Sequence, residues 1–157
     1  MSFEITTVTD LALRQLVGPG AAAALAEAGL PRPEDLCAAA HDHGFVACLG
    51  HEHYLVAGRD IPLPAASAPP WCFTRSDAVF RLPAEHSHML LAQYCGHDLR
   101  RLPETGWLMT RVADIDVWLR AAAQAPDDVL VGCDASYERY LHDALHGAVP
   151  TAAAQHA

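Results

Sequence analysis

Apolar positions along the chain fall into short runs punctuated by glycine, proline and charge. The run LALRQLV, residues 11–17, has the length and composition of a strand. GPGAAAALAEAGL follows, with Pro19 near the start of a helix and Gly29 just past its end, and Ala21, Ala24, Leu25 and Ala28 fall on one helical face. GFVACLG (44–50) and HYLVAGR (53–59) then read as two apolar strands around a tight glycine-containing turn. The segment DIPLPAASAPPW, 60–71, holds four prolines and no periodicity, which predicts a connection. Beyond it the order recurs. AVFRL (78–82) is a strand, and Pro83 opens a helix over AEHSHMLLAQYC with Ser87, Leu90, Leu91 and Tyr94 on one side. GWLMTRV and IDVWLR form a hairpin joined by Ala113-Asp114, and DVLVGC is a further strand. The last helix is the best defined: Asp134 caps it, Tyr137, Tyr140, Leu141, Ala144 and Leu145 repeat with helical spacing, and Gly147 ends it.

These elements predict an α+β domain spanning residues 1–157, built from two loosely repeated β-α-β-β units. The halves run from about 11–59 and 77–147 and are joined by the proline-rich connection 60–71, with 148–157 as a flexible tail. Because hairpins dominate, the expected sheet is largely antiparallel, with the helices packed on it.

Composition narrows the chemistry. Ten arginines, no lysine and nineteen Asp plus Glu give a net charge of −9, which repels a phosphate backbone and argues against nucleic acid as a partner. The missing lysine removes Schiff-base and P-loop chemistry. Cys37, Cys48, Cys72, Cys95 and Cys133 are odd in number and form no C-x-x-C pair, the usage of buried thiols in a reducing compartment. No run approaches ~18 uninterrupted apolar residues, and the N-terminus lacks a cationic-apolar leader, so neither a membrane span nor a signal peptide is expected. The expected location is the cytoplasm.

Four histidines, His41, His43, His51 and His53, lie within HDHGFVACLGHEH and raise the question of a metal. If GFVACLG and HYLVAGR form a hairpin, His51 and His53 sit at its turn and His41 and His43 at the far end of the first strand. About seven residues at ~3.3 Å each separate the pairs by over 20 Å. A histidine nitrogen binds zinc at ~2.0–2.1 Å, so the four cannot share one ion. Residues i and i+2 of a strand do face one side, so each pair offers two ligands, and His97 is the residue able to approach from a loop. His86 and His88 diverge on their helix. The expectation is therefore no metal site. Should metal bind, His41, His43, His51, His53 and His97 are the candidates.

Other catalytic patterns are weak. There is no G-x-S-x-G and no H-E-x-x-H. VGPGA reads as a strand-to-helix turn rather than an anion cradle, since Pro19 removes a donor. Cys95-Gly96-His97-Asp98 places a thiol beside an imidazole and a carboxylate, but consecutive side chains diverge, and a helix end with Gly96 as C-cap accounts for it.

The order of elements, with the phrases LRQLVGPGAAAALAEAGLP, CLGHEHYLVAG, Cys95-Gly96-His97-Asp98-Leu99, GWLMTRVADIDVWLR and VGCDASYERYLHDAL, resembles the gamma subunit of heterotetrameric sarcosine oxidase. That family is related to the folate-binding aminomethyltransferase fold, the T-protein fold of the glycine cleavage system. The family hairpin begins with Cys or Ser ahead of a Gln-Thr pair, where this chain reads Trp107-Leu108-Met109-Thr110. The resemblance implies a non-catalytic, cytoplasmic, hetero-oligomeric accessory subunit in one-carbon metabolism. Its partners would be flavoprotein subunits of an amine-oxidising complex, and flavin, NAD and tetrahydrofolate would reside in those partners with no cofactor in this chain. No catalytic residue is carried over. Two alternatives stand beside it. One is a tetrahydrofolate-binding one-carbon protein that enlists Trp107, Trp118, Asp114 or Glu104. The other is a metal-binding enzyme using the histidine pairs.

Overall fold

The computed structural model describes residues 4–64, 68–121 and 128–147. In chain order these hold β1 (Thr6–Val8), β2 (Leu13–Val17), α1 (Ala21–Glu27), β3 (Ala38–His41), β4 (Gly44–Gly50), β5 (His53–Ala57) and β6 (Trp71–Arg75). Then come β7 (Asp77–Pro83), α2 (Ala84–Leu91), α3 (Leu102–Thr105), β8 (Trp107–Val112), β9 (Ile115–Ala121), β10 (Asp128–Asp134) and α4 (Glu138–Gly147). The α+β class and the antiparallel pairing hold, and the strands divide between two five-stranded sheets. The first has the order β3-β4-β5-β2-β6 and the second β1-β7-β10-β9-β8. Among the described residues, no helix is long and apolar enough to cross a membrane.

Strand alternation sorts the apolar residues into three layers of core. On the outer face of the first sheet, Leu16, Val46, Cys48, Tyr54 and Val56 pack with Ala21, Ala24 and Leu25 of α1. The inner faces meet through Leu13, Phe45, Ala47, Leu55 and Ala57 on one side and Val79, Trp107, Trp118 and Leu130 on the other. On the outer face of the second sheet, Phe80, Leu82, Leu119 and Val131 pack with Leu90 and Leu91 of α2 and with Leu141 and Leu145 of α4. The stacking order is thus helix, sheet, sheet, helices.

Several elements depart from the pattern reading. The connection expected over 60–71 ends one residue sooner, because Trp71 opens β6 and pairs with Val17. Strand β6 escapes a periodicity search because both of its faces are half-exposed, β1 is three polar-rich residues, and β3 is alanine-rich, a poor strand signal. Helix α2 stops at Leu91 with Ala92 as its cap, and the chain continues in turns in which the Tyr94 and Cys95 amides donate to Leu91 O, so Gly96 is not the cap. A 3-10 turn at Leu99–Arg101 and the short α3 follow. Asp134 caps a 3-10 turn leading into α4 by accepting from the Ser136 amide at 2.9 Å. Tyr137 and Tyr140 are exposed, and α4 buries Leu141 and Leu145. The expected tail, 148–157, lies outside the described residues.

Candidate functional site

The second sheet leaves part of the first sheet's inner face uncovered. On β6, Cys72 packs toward α1, so Trp71, Phe73 and Arg75 face the inter-sheet side, in register with Val17, Gln15 and Leu13. Trp71 is 39% and Phe73 50% exposed. The Trp71 ring lies against Gly18, whose φ is +108° and where a Cβ would come within 3.0 Å of the indole. Beside these residues opens a cleft of about 410 Å³. Leu49, Leu55 and Arg75 line it from the first sheet, and Met109, Arg111, Asp116, Trp118, Cys133 and Asp134 from the second.

Packed aromatics form the inner end of the cleft. Trp118 lies on Gly132, where an added Cβ would fall 1.9 Å from the ring, so only glycine fits. Trp107 and Trp118 stack with centroids 5.3 Å apart, and Phe45 reaches across from the first sheet to within 6.0 Å of each. Both indoles are almost wholly buried, at 3% and 5% exposure. Their faces are spent on each other and on Phe45 and Gly132, so they act as a wall rather than a stacking platform. Arg120, also buried, places its guanidinium 5.3 Å from the Phe45 ring centre and donates to Gly106 O at 3.1 Å and to Ala121 O. Burial lowers its pKa.

A polar chain crosses from one sheet to the other along this wall. His53 Nε2 lies 2.6 Å from Gln15 Nε2, so the amide donates and the ring accepts. Arg75 Nη1 donates to Gln15 Oε1 at 3.4 Å, and Arg75 Nε and Nη2 grip both oxygens of Asp77 at 3.0 Å. Asp77 Oδ2 in turn accepts from Trp118 Nε1 at 2.7 Å. Burial, and then Arg75, lower the His53 pKa below its ordinary value. The Cys133 thiol is pushed up to about 11 by burial and by Asp77, Asp134 and Glu138, so at neutral pH it is a thiol and not a nucleophile. The cleft is therefore equipped to recognise: a buried aromatic wall, an exposed Met109, a neutralised Arg75–Asp77 pair, and carboxylates at Asp116 and Asp134.

The histidines of the opening motif are distributed along the first sheet. His41 ends β3, where its Nε2 lies 3.0 Å from Ala57 O and its Nδ1 accepts from the His43 amide at 3.2 Å. His43 is exposed in the turn before β4, His51 is exposed in the turn after it, and His53 begins β5. The two pairs thus flank opposite ends of β4. Among the described residues, no three His, Cys, Asp or Glu side chains gather into a group able to hold a metal. His97 instead places Nδ1 2.6 Å from Thr110 Oγ1, which lies 3.7 Å from Cys95 Sγ. Thr110 bridges the thiol and the imidazole that the sequence places two residues apart, and cross-strand geometry alone reveals it. Asp98 turns away to cap the 3-10 turn, and its hydrogen bonds to Arg100 hold its pKa at about 2. Trp107 and Trp118 line the cleft, whereas Asp114 occupies the β8–β9 turn and Glu104 pairs with Arg101 at 3.2 Å. The residues that pattern reading missed are Gln15, Arg75 and Asp77, whose partners are distant in sequence.

No family model matches the chain, and no curated protein matches it. Among solved structures, the chain is similar to one in the heterotetrameric sarcosine oxidase from Corynebacterium sp. U-96 in complex with pyrrole 2-carboxylate. The TM-score is 0.71 at 22% identity, and the match covers 94% of this chain and 85% of that one. At that identity, the likeness shows a shared fold.

Proposed function

We propose that this chain is a non-catalytic, gamma-type subunit of a heteromeric, flavin-dependent complex that oxidises an N-methyl amino acid such as sarcosine. The observation that carries the reading is the near full-length fold likeness to a chain of a heterotetrameric oxidase. A second feature supports it: Met109 in the cleft and Trp71 and Phe73 on the edge strand β6 are large apolar side chains left exposed, which a protein partner would cover. In this reading the flavin, nicotinamide and folate groups belong to partner subunits in the cytoplasm, and this chain contributes shape and contact.

Affinity purification of the chain from its native host, followed by mass spectrometry and an amine-dependent oxidase assay, tests the proposal. The expected result is stoichiometric recovery of flavoprotein subunits whose oxidase activity falls when this chain is removed. A monomer that recovers no flavoprotein overturns it. Titration of the free chain with tetrahydrofolate, followed by tryptophan fluorescence, is expected to be flat. A saturable response would move the chain to the one-carbon-binding class.

A further inference from the structure

Strand β6 ends the first sheet, and its outer edge is unpaired among the described residues. Exposed edges invite another strand, and proteins usually blunt them with lysine, proline, a bulge or an inward charge. Within WCFTR there is no lysine or proline, and the guanidinium of Arg75 is committed to Asp77. Two aromatics at alternate positions, Trp71 and Phe73, stand half-exposed on one face of this edge. Across the cleft, the second sheet presents Asp116, with its side chain 95% exposed, together with exposed Asp134. Among the described residues lining the cleft, the arginines are Arg111, 3.6 Å from Asp116, and Arg75, held by Asp77.

We propose that β6 is completed in the assembled complex by one extended segment of a partner subunit, added as a further strand of the first sheet. Its alternate apolar side chains lie on Trp71 and Phe73, and an Arg or Lys of the same segment reaches Asp116 and Asp134. Main-chain hydrogen bonds supply the adhesion, and the aromatic and acidic groups fix register and direction. The inference rests on the accessory-subunit reading above and adds the mode of docking.

The test uses the complex as isolated from the host. Amide hydrogen exchange at 71–75 is expected to slow strongly on going from the free chain to the complex. Phe73→Arg weakens assembly at least about tenfold, as loss of a central aromatic anchor does. Asp116→Asn, at a position whose side chain is 95% exposed, weakens it by about threefold at low salt and by little at high salt. If the complex forms but 71–75 exchange as in the free chain and both variants assemble normally, the docking mode is wrong and the subunit reading stands. If no complex forms with any partner, both fall. If the free chain sediments as a dimer with 71–75 already protected, a second copy occupies the edge and the proposal is overturned.

Discussion

At the scale of single residues, His53 shows how position sets chemistry. Its ring closes the polar chain through Gln15 to Arg75, and both burial and that arginine oppose its proton. The folded pKa therefore lies below the ordinary 6.5. The unfolded chain binds this proton more readily, so His53 contributes stability above about pH 6.5 that is lost as the pH falls toward the lowered folded value. Urea unfolding at about pH 7.5 and about pH 5.5 checks this. The natural protein should lose more stability across that interval than His53→Gln, which keeps a hydrogen-bonding partner for Gln15. The spacing of the histidines was legible in the sequence, and so was their division between two turns. The role of His53 was not, because Gln15 and Arg75 lie 38 residues before it and 22 after it, on strands that only folding brings together.

Among the elements, the β8–β9 hairpin has the plainest defect. Ala113 and Asp114 both adopt positive φ, at 50° and 67°, in a two-residue connection that favours Asn-Gly. Alanine has no side-chain oxygen to ease that conformation. Ala113→Asn combined with Asp114→Gly should raise stability by about 1 kcal/mol, measured as a higher urea midpoint at unchanged slope. The Tyr140 hydroxyl, which donates to Ala113 O at 3.0 Å, keeps its acceptor in this variant. Elements with a strong local signal were readable: the apolar runs of β4 and β5, the alanine face of α1, and the Leu141–Leu145 stripe of α4. Strand β6 was hidden because a half-covered edge shows no clean alternation, and its proximity to four prolines suggested a loop. Helix α2 is shorter than its pattern suggests because Tyr94 keeps the helical spacing after the backbone has left the helix.

For the whole molecule, the decisive feature is that the two sheets share one core. Phe45 comes from the first sheet and meets Trp107 and Trp118 of the second. Removing it empties both sides at once, so Phe45→Ala should cost about 3–5 kcal/mol. The loss should appear as one cooperative transition, with backbone and aromatic circular dichroism melting together. Two separate transitions would mean that the sheets are energetically independent. The sequence conveyed the class of the fold and the antiparallel habit of its strands. It did not reveal that the repeated order builds two stacked sheets with a cleft at one end, since that depends on which faces meet. Gly132 was equally silent until Trp118 was seen lying upon it.

The paired indoles of Trp107 and Trp118 carry one more consequence. Two chromophores 5.3 Å apart and close to parallel are near enough to exchange excitation, so far-ultraviolet circular dichroism of the unlabelled chain should show a coupled band that Trp107→Phe removes. Because one ring belongs to the border strand β8 and the other to its neighbour β9, that band is a native optical gauge of whether the border stays zipped, readable in solution while other proteins bind elsewhere.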